Sequence, residues 1–230
     1  MSAIIDEIFK ALNNHSCLYE EMEFSNECGE ESYDDIYEAA MESNIPFEVA
    51  SGASKYVIIP NDGDEVIKIP FNGQMDESYN DEGKYEDYIF FPFECAGVEN
   101  GWDYCQREVV IADAAEEEEL EQCFAITRRI GLVNGYPIYA QEKAEVWSAA
   151  HDYDEYSEEK KSTTSEKCKQ LGVGCFNSCW LSDFLDYFGE DIFQKFMKFI
   201  DKQNIGDLHS DNIGYIGNRP VLIDYSGYWD

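Results

Sequence analysis

Apolar positions change their period several times along this chain, and each change marks an element. Ile4, Ile5, Ile8, Phe9 and Leu12 recur at three- and four-residue steps, which predicts an amphipathic helix over Ile4–Leu12. The acidic stretch Leu18–Asp35 follows. Ile36–Met41 then reads as a second short helix, broken at Asn44–Pro46. Beyond it the pattern becomes β-rich. Phe47–Ala50, Tyr56–Pro60 and Glu65–Pro70 are predicted strands, separated by the turn residues Ser51-Gly52 and Asn61-Asp62-Gly63. Asn72–Asp87 is polar and acidic and reads as a surface insertion.

A helical pattern is predicted over Trp102–Thr127, with Glu116–Glu119 as a solvated face. Ile126–Val133 and Tyr136–Gln141 are two more strands, joined by the hairpin signal Asn134-Gly135. His151–Lys169 reads as a loop or exposed helix. From Trp180 to Gln203, Leu181, Phe184, Leu185, Phe188, Ile192, Phe196, Phe199 and Ile200 recur at helical spacing, with a break at Gly189. Two short strands around Gly217–Pro220 are predicted within Ile213–Tyr225. The order predicts an α+β fold with a five-strand meander interrupted by one helix. It divides into an acidic helical extension (1–46), a β-rich lobe (47–145) and a helical lobe (146–230).

Composition adds two constraints. Hydrophobic residues make up 44% of the 230 and aromatics 15%, which supports a real core and excludes wholesale disorder. Forty-nine acidic residues against 16 basic ones give a net charge of −33. Such a chain repels DNA, RNA and anionic membranes and attracts basic partners. The acidic residues cluster at Glu20–Glu38, Asp76–Asp87, Glu116–Glu121 and Asp152–Glu159; the plain alternative is a solvated acidic surface.

Eight cysteines without a C-x-x-C pair, and three histidines, argue against a zinc site. The thiols are expected to be packing residues of a reduced, cytoplasmic protein. The first apolar run is too short for a signal peptide, and none approaches bilayer length.

Candidate chemistry lies near the C-terminus. Gly206–Ile213 and Val221–Tyr225 supply an aspartate, Asp207, an amide five residues on, Asn212, and a second aspartate, Asp224, at the end of an apolar strand. Phosphoryl transfer uses such a set: one carboxylate orients or deprotonates the attacking hydroxyl, while an amide and another carboxylate hold Mg²⁺ through hard oxygen ligands.

These segments, GDLHSDNIG and VLIDYSG, resemble the catalytic loop and metal-binding motif of protein-kinase-like phosphotransferases. The variant is nearest to the aminoglycoside-phosphotransferase-like and small bacterial kinase branch, and it also resembles small kinase-like proteins encoded by phages. The resemblance implies a two-lobed kinase-like fold, with a β-rich first lobe carrying a helix and a reduced helical second lobe. It implies ATP and Mg²⁺ as cofactors, Asp207 as catalytic base, and Asn212 and Asp224 as metal ligands.

It continues upstream in order. Glu65–Pro70 is similar to the strand whose lysine grips the phosphates, here Lys68. The turn with Ser51, Gly52, Ser54 and Lys55 occupies the place of the phosphate-covering loop. Glu108 corresponds to the helix glutamate that pairs with the lysine, the alternative for it being a solvated helix residue. Gln141 and Glu142 fall where the hinge meets adenine. His209 is expected to bond backbone.

Ile205 stands where the family's loop histidine usually precedes the catalytic aspartate, and the metal-motif glycine is displaced to Gly227. Six residues follow Asp224. The activation segment and peptide-docking helices of ordinary protein kinases are therefore expected to be missing.

Two functions follow. One is a nucleotide-binding protein, a minimal phosphotransferase or a pseudokinase. The other is a highly acidic, nucleic-acid-mimicking phage inhibitor that binds a basic host protein, such as a defence or nucleic-acid-binding protein, through electrostatic complementarity.

Overall fold

The computed structural model describes residues 2–15, 30–52, 54–71, 73–79, 83–92, 104–133, 135–150, 158–174 and 180–226. Ala53, Asn134, Gly227, five of the eight cysteines, most of the first acidic cluster and residues 151–157 lie outside the described residues. The chain is mixed α+β and divides into two compact units. One comprises Met1–Arg107 with Thr127–Gln141, the other Glu108–Ile126 with Glu142–Asp230. Among the described residues, no helix is long and apolar enough to cross a membrane.

The first unit begins with helices α1 (Ala3–Asn14) and α2 (Glu30–Met41). Ser2 caps α1, its hydroxyl accepting the Ile5 amide at 3.4 Å. Strands β1 (Phe47–Ser51), β2 (Lys55–Pro60) and β3 (Glu65–Pro70) follow as antiparallel neighbours. Next along the chain come β4 (Gly73–Tyr79), β5 (Tyr85–Pro92), helix α3 (Tyr104–Glu117), which from Glu108 onward belongs to the second unit, β6 (Thr127–Val133) and β7 (Tyr136–Glu142). The main sheet has the order β1-β2-β3-β7-β6.

One face of this sheet is covered by the two N-terminal helices. Ile5, Ile8 and Leu12 of α1, with Ile36, Ala39 and Ala40 of α2, pack on Tyr56, Ile58, Ile67, Ile69, Val133, Ile138 and Ala140. The acidic N-terminal segment thus supplies one wall of the core. Two local devices fasten it. The Glu65 carboxylate accepts the Ser2 amide at 3.0 Å and pairs with Arg128. Phe9 sits directly on Gly131, where an added Cβ would come within 2.5 Å of its ring.

The structure departs from the sequence reading in three places. The expected polar insertion Asn72–Asp87 is instead the start of a β4–β5 antiparallel hairpin in its own two-stranded sheet. The β-formers Tyr85, Tyr88, Ile89, Phe90 and Phe91 prevail there over the acidic composition. The meander is also broken, because β7 inserts beside β3 and leaves β6 at the edge. Finally, α3 stops at Glu117. Glu119 takes a left-handed conformation (φ 59°), and the Leu120 amide turns back to the Ala115 carbonyl at 2.8 Å, burying Leu120. The exposure of Glu116–Glu119 is as expected.

The second unit contains β8 (Glu145–Val146), α4 (Trp147–Ala150), α5 (Glu158–Leu171), α6 (Trp180–Lys202), a 3-10 turn (Ser210–Asn212), β9 (Ile213–Ile216) and β10 (Arg219–Leu222). Its small sheet has the order β10-β9-β8. The core is aromatic, with Phe124 making edge contacts to Phe196, Phe199 and Tyr225.

Gly189 interrupts α6 with φ 74° and ψ 171°, a conformation essentially confined to glycine. Phe184 and Phe196 stack across the break with centroids 4.8 Å apart. In a straight helix the twelve-residue rise between them would be about 18 Å, so α6 folds back on itself at Gly189. Cys105, Cys123 and Cys168 are buried and not in disulfides, and burial pushes the Cys123 thiol up to about 12. These three are packing residues, as expected.

Candidate functional site

In the second unit the chain brings Asp207, Asn212 and Asp224 to one node. After α6 the backbone runs through Ile205–His209, which lie in no helix or strand and turn where the Leu208 amide meets the Gly206 carbonyl at 3.0 Å, into the 3-10 turn, and Ile205 and Leu208 anchor it in the aromatic core. The buried Asn212 side chain donates through Nδ2 to the Asp207 carbonyl at 2.8 Å. The Asn212 carbonyl accepts the Ile223 amide at 2.9 Å and the Asp224 amide at 3.4 Å.

Only the amide NH₂ can donate to a carbonyl, so this bond fixes which way the Asn212 amide points and directs Oδ1 to the other side. The Asp224 carboxylate accepts the Ser226 hydroxyl at 3.2 Å. Both Asp207 and Asp224 keep partial solvent exposure.

His209 bonds backbone, as the sequence suggests. Its Nδ1 accepts the Asp211 amide at 3.2 Å and caps the 3-10 turn, while Nε2 lies 3.6 Å from an Asp207 carboxylate oxygen.

A second support, with no signal in the sequence, is Asp183 on α6. One carboxylate oxygen accepts both Trp147 Nε1 at 2.8 Å and the Tyr215 hydroxyl at 2.6 Å. Tyr215 lies on β9, directly after the turn that carries Asn212, so this acid ties the strand to α6 and α4.

Glu142 also has a local structural task. Its carboxylate accepts the Ile126 amide at 3.0 Å and lies 3.7 Å from the Arg219 guanidinium, and its own amide donates to the Ile126 carbonyl at 3.3 Å. Glu108 is fully buried on α3 and is partnered, which removes the solvated-helix alternative.

In the first unit, strand alternation sorts the expected residues by sheet face. Ile67 and Ile69 of β3 face the α1–α2 core, so Lys68 faces the other way, opposite Val57. Lys55, opposite Pro70, shares that second face. So do Tyr139 and Gln141 of β7, because Ile138 and Ala140 point to the core. Lys55 and Lys68 are each only 4% exposed, and β3 lies inside the sheet. Lys68 is therefore no exposed edge lysine.

Gln141 donates through Nε2 to the Thr127 hydroxyl at 2.8 Å, and the Tyr139 hydroxyl donates to Gln106 of α3 at 3.3 Å. Ser54 is buried with its carbonyl accepting the Phe71 amide at 2.8 Å, whereas Ser51 and Gly52 are exposed at the β1–β2 turn. An added Cβ at Gly52 meets nothing, so its backbone has no steric need of glycine.

The donor chemistry fits the implied cofactors. Asn212 Oδ1 and the Asp224 carboxylate are hard oxygen donors of the kind Mg²⁺ takes. Lys55 and Lys68 are two ammonium groups on one sheet face, the charge a polyphosphate requires. Among the described residues, no group of three or more His, Cys, Asp or Glu side chains could hold a metal ion. No protein-family model, no curated protein and no solved structure matches the chain.

Proposed function

We propose that the chain is a two-lobed, kinase-like protein that binds ATP with Mg²⁺, and that Asp207 serves phosphoryl transfer from it. The observation that carries this reading is the Asn212 node. One residue, its side-chain amide donating to the Asp207 carbonyl and its backbone carbonyl accepting the Asp224 amide, ties a candidate base to two candidate metal residues, itself and Asp224, drawn from separate segments. In this reading Asn212 and Asp224 hold Mg²⁺, which would supply charge neutralisation to the phosphates.

Lys68 binds phosphate oxygens and Glu108 orients it. Lys55, Ser54 and the exposed Ser51-Gly52 turn form the phosphate-side loop, and Gln141 and Glu142 border the adenine. Asp207 accepts the proton of the acceptor hydroxyl, and the partial exposure of its carboxylate gives that hydroxyl access.

Incubation with γ-labelled ATP and Mg²⁺ tests the transfer step. Label is expected to move to an acceptor, with the chain itself as the first candidate, and Asp207→Ala is expected to slow that by about a hundredfold or more. Equal labelling by both proteins would contradict the assignment of Asp207.

A second reading is favoured by the surface charge: −33 overall, with Glu116–Glu119 exposed side by side. It makes the protein an acidic inhibitor that occupies the basic groove of a host nucleic-acid-binding or defence protein. Its association would be fast and salt-sensitive. Capture of a basic protein at low salt, lost when Glu116–Glu119 are changed to glutamine, would support it; capture indifferent to salt would contradict it.

A further inference from the structure

Among the described residues the main sheet ends at β1. The Asn61 amide donates to the Pro46 carbonyl at 2.9 Å and the Gly52 amide to the Lys55 carbonyl at 3.1 Å, one beyond each end of the β1–β2 ladder. In an antiparallel pair the hydrogen-bonded positions alternate, so Glu48 and Ala50 also bond to β2. Phe47, Val49 and Ser51 therefore turn their N–H and C=O groups outward, and among the described residues β1 has no strand neighbour on that side. The usual protections of an edge are sparse here: one glutamate, Glu48, and one proline, Pro46, just before the strand.

The same edge carries an apolar patch. Phe47 and Val49 share a sheet face by alternation, and Phe47 meets the ring of Tyr37 edge-on at 5.3 Å. Tyr37 and Met41 lie one turn apart on α2. Tyr37 is 42%, Met41 51% and Val49 42% exposed, three of the most exposed large apolar side chains described. Beside them on α2 are the exposed Glu38 and Glu42, the latter 3.3 Å from His15 Nδ1, while Glu48 is exposed on the reverse face of the sheet. An outward backbone ladder, a strip of apolar side chains beside it and an acidic rim make up the three parts of a strand-addition site.

We propose that an extended basic peptide segment of a partner protein adds to β1 as a sixth strand. It pairs with the backbone of Phe47, Val49 and Ser51, lays apolar side chains on Tyr37, Met41 and Val49, and on the reverse face, where alternation puts its other side chains, sets lysine or arginine against Glu48. A second copy of this chain is disfavoured as occupant because two chains of −33 would meet through like-charged rims. The proposal is independent of nucleotide binding. It rests on the second reading above for the sign of the partner's charge and gives that partner a docking surface separate from Glu116–Glu119.

The probe is a synthetic extended peptide alternating valine and lysine, with valine–threonine and valine–glutamate peptides of equal length beside it. Binding is followed by fluorescence anisotropy and by amide hydrogen exchange. The lysine peptide is expected to bind with a salt-sensitive affinity and to slow exchange at Phe47, Val49 and Ser51. Val49→Pro removes one outward N–H without touching the β2 ladder and is expected to weaken binding about tenfold. Val49→Thr, which keeps that N–H, should retain most of it, and matching thermal midpoints for the two variants guard against misfolding.

Salt-sensitive binding with protection elsewhere, or unaffected by Val49→Pro, would overturn this surface and leave the basic-partner reading standing. Equal binding of the threonine peptide would overturn the charge assignment in both. Binding of no peptide, or self-association through β1 in sedimentation, would overturn the proposal.

Discussion

Asn212 Nδ2 lies 2.8 Å from the carbonyl oxygen of Asp207, and this bond sets the conformation of the loop joining them. The asparagine is buried, so its NH₂ has given up water for that single acceptor. Its backbone carbonyl accepts the Ile223 and Asp224 amides, so the same residue is also bonded to the segment that carries Asp224. Asn212→Ala leaves the Asp207 carbonyl without its donor and should cost about 1–3 kcal/mol of stability. Asn212→Asp keeps the shape but sets a carboxylate against a carbonyl, and should cost at least as much. Urea denaturation of the three proteins measures both, and an Asn212→Asp protein as stable as wild type would contradict this role.

Glu65 predicts a pH effect with a definite sign. Burial raises its pKa, but the Ser2 amide and the Arg128 guanidinium outweigh burial and hold the carboxyl below its ordinary value. A group depressed in the folded state contributes stability that is complete above its unfolded pKa, about 4.3, and is lost as pH falls through the lower folded value. The thermal midpoint of Glu65→Gln should therefore lie furthest below wild type above about pH 5, and the gap should close on further acidification. A gap that widens at low pH would contradict the assignment.

Two glycines carry steric predictions. At Gly131 an added Cβ would come within 2.5 Å of the Phe9 ring, so Gly131→Ala should destabilise by about 1–3 kcal/mol. Combining it with Phe9→Leu, which removes the obstructing ring, should recover part of that loss. A double-mutant cycle by thermal denaturation reads the coupling, and strict additivity would place Phe9 elsewhere.

Gly189 has open space around it, so its constraint lies in the backbone alone. With φ 74° and ψ 171°, Gly189→Ala should cost on the order of 1–3 kcal/mol, with no relief from trimming neighbours. An unchanged midpoint would mean that α6 does not fold back at this residue.

These particulars divide what the sequence made legible from what it did not. The helix at Ile4–Leu12 and the strands through Lys68 were readable because periodicity is local, and the face of a strand follows from it. Gly189 was readable as a break, but the stacking of Phe184 on Phe196 across it was not, since spacing along one segment carries no direction of turn. The β4–β5 hairpin was missed because charge obscured a run of β-forming aromatics. Phe9 on Gly131, and Asp183 between Trp147 and Tyr215, join positions far apart in sequence, and nothing in their neighbours announces them. Asp207, Asn212 and Asp224 could be picked out by residue type and spacing; the bond that assembles them became visible only in three dimensions.

The central claim is that Asp224 and Asn212 form the metal side of a nucleotide site, and calorimetric titration with ATP tests it most directly. Wild-type protein in Mg²⁺ is expected to give a saturable heat of binding that disappears with EDTA in place of Mg²⁺. Asp224→Ala, whose partly exposed side chain is not a core residue, should lose that heat while keeping its thermal midpoint within a few degrees, since about 0.5 kcal/mol is usual for such sites. No heat from the wild type, or the same heat from Asp224→Ala, would contradict the claim.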